Sequence, residues 1–143
     1  MKLLTFQARR FAWKAFSQTL EDAAAEVAAE VVQGESLETV VVFVHAQASD
    51  EDEDRRGRTF KHTLKHIKWL ANKREFKNVV LHSFTHLGGE NASPAFARAF
   101  LDELDDRLGS TGYMVKQTPF GWFSEWELSV YGESLAKVWK EIS

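Results

Sequence analysis

Residues 79–96, VVLHSFTHLGGENASPAF, place a histidine and a double glycine where an apolar run gives way to a loop and then to Ser93-Pro94. The run reads as a buried strand, and Ser-Pro as an N-cap followed by a first helical residue. In open α/β sheets, ligands bind beyond the carboxyl ends of strands, at junctions of this kind. Gly88 and Gly89 would let a ligand approach the main chain, and free N–H groups near Ser93 and Ala95 would favour an anion or a developing oxyanion. His86 can donate to a ligand, act as a base or simply cap the loop. A second stretch, TPFGWFSEWEL at 118–128, alternates so that Trp122, Ser124, Trp126 and Leu128 share one face. Phe123 falls on the other, otherwise polar face. There it reads as packing under a loop, a dimer contact or a flat surface for a base or ribose.

Metal chemistry has less to draw on. His82 and His86 are four apart but lie on a strand and its loop, and His62 and His66 have helical spacing without nearby acids. With no cysteine in the chain, thiolate zinc sites, disulfides and a cysteine nucleophile are excluded. No Walker loop and no dinucleotide fingerprint occurs. No metal and no cofactor is expected.

Residues 55–77 hold nine Lys or Arg and one acid, Glu75, although the chain as a whole carries a formal net charge of -3. On a helix over 55–72, Phe60, Leu64, Ile67 and Ala71 form the apolar stripe, and Lys61, Lys65 and Lys68 a basic one. The basic stripe suits a phosphate backbone or a solvated face equally. The acidic run at 49–54 reads as a solvated loop or helix start.

These residues need a frame. Segments 2–7 and 10–16 read as two strands around Arg9-Arg10, 20–32 as an Ala/Glu-rich helix, and 39–46 as a strand buried on both faces. Strand 39–46, helix 55–72 and strand 78–84 form a βαβ unit with parallel strands. A helix follows from Pro94. Residues 113–120 and 122–131 then read as a hairpin about Pro119-Phe120-Gly121, and 133–141 as a final short helix. The expectation is α/β: one domain, 1–143, with a single mixed β-sheet packed with helices. No apolar run approaches membrane-span length and the N-terminus lacks a signal-peptide pattern, so the expected compartment is the cytoplasm.

The stretch VVLHSFTHLGGENASPAFARAFLDEL, with KQTPFGWFSEWELSVYGESLAK further on, resembles the archaeal-type N-terminal editing domain of threonyl-tRNA synthetase. The resemblance implies a D-aminoacyl-tRNA deacylase-like fold, a homodimer, and hydrolysis of the ester in seryl-tRNA(Thr). In a synthetase such a domain precedes the catalytic part; with the sequence ending at Ser143, the expectation is a free-standing editing domain acting in trans, beside a threonyl-tRNA synthetase. Carried over by position, His86 matches the motif histidine and Phe84 and Thr85 its neighbours, while Ala95 falls on the continuing pocket wall. Pro119, Phe120 and Gly121 match the family's turn, and Trp122 and Phe123 stand for its tyrosine pair. Ser124 stands at the family's functional lysine and is, with His86, the expected catalytic position. Gln7 replaces a histidine and Lys137 an acid. Those three departures remove much of the side-chain chemistry. They support an alternative: a non-catalytic module that binds tRNA ends or assists a synthetase.

Overall fold

Strand β1 runs unbroken over Lys2–Gln18 in a computed structural model that describes residues 1–20 and 32–143. The two strands expected around Arg9-Arg10 are therefore one strand with a bulge. Its register against a neighbour shifts between Ala8 and Arg10, and the extra residue exchanges the faces. Before it, Leu3, Thr5 and Gln7 are buried toward one side of the sheet, while Leu4, Phe6 and Ala8 face the other. After it, Phe11 and Trp13 join the side of Ala8. The helix expected at 20–32 falls almost wholly outside the described residues.

The remaining elements are β2 (Gln33–His45), α1 (Glu53–Asn72), β3 (Asn78–Ser83), α2 (Pro94–Ser110), β4 (Met114–Gln117), β5 (Trp122–Val130) and β6 (Lys137–Glu141). They form a six-stranded mixed sheet in the order β4-β3-β2-β1-β5, with β6 also on β1. β2, β3 and β4 are mutually parallel, as the βαβ reading requires. β5 pairs with Ala8–Gln18 of β1 and β6 with its first residues, so the two lie end to end along one edge. The expected α/β class, one mixed sheet packed with helices, is the observed one.

Two expectations fail at the C-terminal end. Residues 113–120 and 122–131 form no hairpin, because β4 joins β3 and β5 joins β1 across the sheet. After helix α2 the favoured continuation is another parallel strand, and the edge of β1 is left for β5. The final helix is replaced by a single 3₁₀ turn, Ser134–Ala136, and strand β6. The edge of Lys2–Phe6 offers main-chain partners that outweigh local helix preference.

Both helices pack on one face. Ile67 and Leu70 of α1 and Phe100, Leu104 and Leu108 of α2 are fully buried against Val40, Val42, Val79 and Leu81. Each such side chain contributes about 1.5–3 kcal/mol. The alternate residues Val41, Phe43 and Val80 face the other side, with Phe11 and Trp13. The acidic run is not simply solvated. Asp50 is fully buried and pairs at 2.8 Å with the Met1 ammonium. Among the described residues no helix is long and apolar enough to cross a membrane.

Candidate functional site

The loop after β3 is held from beneath by a buried histidine. His45, at the end of β2, is fully buried. Its Nδ1 accepts from the Leu87 N–H at 3.3 Å, so its Nε2–H donates to Asn91 Oδ1 at 2.7 Å. On the outer side, Lys2 Nζ and Gln47 Nε2 both donate to the Gly88 carbonyl, at 2.8 and 3.1 Å. The Gln47 N–H in turn donates to Asp50 Oδ2, which ties the loop to the buried ion pair. Gly88 and Gly89 adopt φ of 94° and 92°, where a side chain is strained, and a Cβ at Gly89 would collide with Gln47. The approach these glycines permit in this structure is that of the Lys2 and Gln47 side chains.

The helix start also differs from expectation. The Ser93 N–H is taken by Glu51 Oε2 at 3.1 Å, and the Ser93 hydroxyl donates to Glu51 Oε1 while accepting from Phe96 N. A carboxylate already sits where an anion was expected. Ala95 is exposed outside the cleft, and Pro94 and Ala97 line it instead.

The cleft has a volume of about 290 Å³ and opens beyond the carboxyl end of β3. His82, Phe84, Thr85 and His86 form its β3 side. Pro119, Phe120, Gly121 and Trp122 cross over it, because the connection from β4 to β5 must span the strand ends. That crossing is pinned by Thr118 N to Leu81 O at 3.1 Å and Thr19 N to Gly121 O at 2.6 Å. Phe123, Ser124 and Trp126 of β5 close the far side. Of the expected site residues, the structure thus brings together Phe84, Thr85, His86, Pro119, Phe120, Gly121, Trp122, Phe123 and Ser124. It leaves Gly88, Gly89 and Ala95 outside.

The two expected catalytic positions differ in character. His86 is exposed, its ring edge-on to Phe84 at 5.1 Å, and among the described residues it makes no hydrogen bond. Ser124 Oγ is buried without a partner. Gln7 and Lys137 lie elsewhere. Gln7 is buried beneath α1, donating to Leu70 O at 2.9 Å and accepting from Arg74 at 2.8 Å. Lys137 donates to Gly132 O at the surface.

Sequence reasoning considered His82 only as a metal ligand. It is buried in the cleft wall, its ring 4.8 Å from Phe43, with Nδ1 2.8 Å from Thr118 Oγ1. Burial pushes its pKa down to about 4. Alternation with Val80 and Phe84 on one strand face was the signal for it. Among the described residues that line the cleft, none is Asp, Glu, Lys or Arg, and no group of three or more His, Asp or Glu could hold a metal ion.

The basic residues lie apart. Lys65 lines a separate groove of about 550 Å³ between α1 and β6, with His62, His66, Trp69 and Lys140. Lys61 is exposed, and Lys68 is half-buried with its ammonium 6.0 Å from the Tyr113 ring. Since α1 covers the sheet face opposite His82 and Phe84, stripe and cleft occupy different sides of the molecule. Burial and Lys140 both lower the pKa of His66.

Comparison with known proteins agrees with this architecture. The chain is 32% identical over 143 residues to a threonine–tRNA ligase of Staphylothermus marinus, covering 99% of this chain and 22% of that one. A Methanococcus maripaludis ligase is 30% identical over 114 residues, covering 80% and 18%. The chain spans about a fifth of the length of these relatives. A solved structure titled c-Myc DNA Unwinding Element Binding Protein superposes with a TM-score of 0.68 over 100% of this chain and 99% of that one, at 13% identity. That likeness bears on the fold alone, which is D-aminoacyl-tRNA deacylase-like. Residues 1–142, the cleft loop and the crossing turn included, match one family from end to end: this chain belongs to the archaea-specific editing domain of threonyl-tRNA synthetase.

Proposed function

We propose that this chain edits mischarged tRNA by hydrolysing the ester of an aminoacyl-tRNA, with seryl-tRNA(Thr) as substrate. The observation that carries the reading is the cleft. It gathers His86, Ser124 and the Pro119-Phe120-Gly121 turn around about 290 Å³, at the small end of the ~300–1,000 Å³ typical of ligand sites. That volume suits a small aminoacyl group and its ribose. In the reaction a water oxygen bonds to the ester carbonyl carbon, the bond from that carbon to the ribose oxygen breaks, and the ribose oxygen takes a proton. His86 at the mouth takes the water's proton and returns it to the leaving oxygen. Ser124 Oγ, with no partner of its own, hydrogen-bonds the bound aminoacyl group. Phe84, Phe120 and Trp122 keep bulk water from the sides. Lys61, Lys65 and Lys68 contact the tRNA backbone beyond the cleft. A second copy of the chain and a threonyl-tRNA synthetase are the protein partners this reading implies.

A second reading, a tRNA-end-binding module without hydrolysis, is favoured by one observation: Gln7 and Lys137 point away from the cleft and supply it with nothing. Incubation with seryl-tRNA(Thr), threonyl-tRNA(Thr) and alanyl-tRNA decides between the two. Rapid loss of the seryl ester alone supports editing. Tight binding with the ester intact supports the second reading.

A further inference from the structure

The deepest polar group of the cleft is one that no catalytic role has claimed. His82 is 5% exposed, while His86 at the mouth is open to solvent. Thr118 Oγ1 lies 2.8 Å from His82 Nδ1. A buried hydroxyl needs an acceptor for its proton, and His82 Nδ1 is the acceptor the described residues give it. The pairing therefore fixes the ring with its proton on Nε2. That leaves an N–H on the ring and no protein acceptor for it among the described residues. Ser124 Oγ, on the same cleft, is likewise buried and unpartnered. Trp126, two residues along the same face of β5, has its ring 6.2 Å from that of His82, so the β5 wall that carries Ser124 faces His82 across the cleft. The His82 donor and the Ser124 hydroxyl thus stand unused in a hollow without charged side chains among its described lining residues, where Trp122 Nε1 is also buried and unpartnered.

We infer that His82 is a specificity-determining residue, its Nε2–H donating to a hydroxyl oxygen on the aminoacyl side chain while that hydroxyl donates to Ser124 Oγ. This rests on the reading of the cleft as the aminoacyl site. With the ester held near His86, because the rest of the tRNA stays outside, the amino-acid side chain points inward to His82. A side chain lacking the hydroxyl leaves both protein groups buried and unpaired, which is how sites built for a hydroxyl reject its deoxy analogue. The depressed pKa keeps the ring uncharged at working pH, so it reads the hydroxyl as a neutral donor.

The test uses adenosine carrying serine or alanine in amide linkage at the 3′ position, which binds without being hydrolysed. The expected wild-type preference for serine is ~100-fold or more. His82→Leu should reduce it to within about threefold, while His82→Gln, which keeps an N–H at that reach, retains part of it. Thr118→Val preserves shape but removes the hydroxyl that fixes the ring, and it carries the test should His82→Leu fail to fold. The imidazole ¹⁵N resonances should report an Nε2–H tautomer that shifts with the serine compound and not with the alanine one. Equal affinity for the two compounds, or a preference untouched in Thr118→Val and His82→Leu, overturns the assignment. Binding of neither compound overturns it together with the aminoacyl site. Serine-selective binding without ester hydrolysis leaves this inference standing and removes the deacylase.

Discussion

The cleft beyond β3 and the groove between α1 and β6 are both hollows, but they are built from opposite materials. The cleft, about 290 Å³, is lined without Asp, Glu, Lys or Arg among the described residues, and its loop is held by His45, Gln47 and Asp50. The groove, about 550 Å³, is lined by Lys65, Lys140, His62 and an exposed Trp69, with Glu141 as the one acid side chain. Fixed neutral donors discriminate by geometry at contact distance, while mobile cations attract at long range and are screened by salt. On the function proposed above, selectivity is assigned to the first hollow and salt-sensitive affinity to the second.

The strongest challenge to that division is Asp50→Asn. Removing the charge from a fully buried ion pair leaves the Met1 ammonium uncompensated and should cost about 3–5 kcal/mol of unfolding free energy by urea titration. The cleft loop should loosen with it, while the salt dependence of tRNA binding stays as in the parent protein. Unchanged stability would mean that the ion pair does not support the cleft.

Acid probes the same frame. His82 is held neutral with its pKa near 4, against 6.5 ordinarily. The unfolded chain therefore takes up a proton below 6.5 that the folded chain refuses until about 4. Stability is full above pH 6.5 and falls as pH drops toward 4, by about 3 kcal/mol from this residue. His66 shifts in the same direction. His82→Phe should flatten the fall, and a pH profile of equal steepness in the two proteins would locate the sensitivity elsewhere.

Next in size is His86→Ala. The ring is exposed and makes no hydrogen bond among the described residues, so melting should be unaffected while ester hydrolysis drops about 100-fold. Full hydrolysis in that variant would take the proton transfer away from this histidine. The smallest effect sharpens the groove's side. Lys61→Ala/Lys65→Ala/Lys68→Ala should lower the salt slope of tRNA binding by roughly 2–3 and leave the binding of aminoacyl adenosine unchanged. A slope identical to that of the parent protein would return the stripe to the solvent.

Much of this was legible in the sequence because period and punctuation agreed. The β-branched run at 39–46, the stripe Phe60-Leu64-Ile67 and the Ser93-Pro94 start each name their element, although β2 begins at Gln33, six residues before the run. Phe84, His86 and the Pro119-Phe120-Gly121 turn reach the cleft because strand ends and crossovers meet there. Pairing at a distance was not legible. Nothing local in 122–131 says that its partner is the far half of β1 rather than β4. Nothing in the acidic run says that Glu51 will occupy the start of α2, or that Gln47 will fill the space beside Gly89. The setting of His82 was not legible for a related reason, since its polar contact is with Thr118, thirty-six positions away.

The bulge at Arg9-Arg10 carries a consequence of a counting kind. Because β1 changes its inward side there, the number of residues between Gln7 and Phe11 acts as a parity bit for the strand as far as Ala15, where a second register shift follows. Deleting one residue would turn Phe11 and Trp13 toward the helices and expose their neighbours, so an odd insertion or deletion exchanges two interiors at once. An even one restores the assignment and merely slides the strand along β2. Length variation among relatives in this short interval should therefore come in twos.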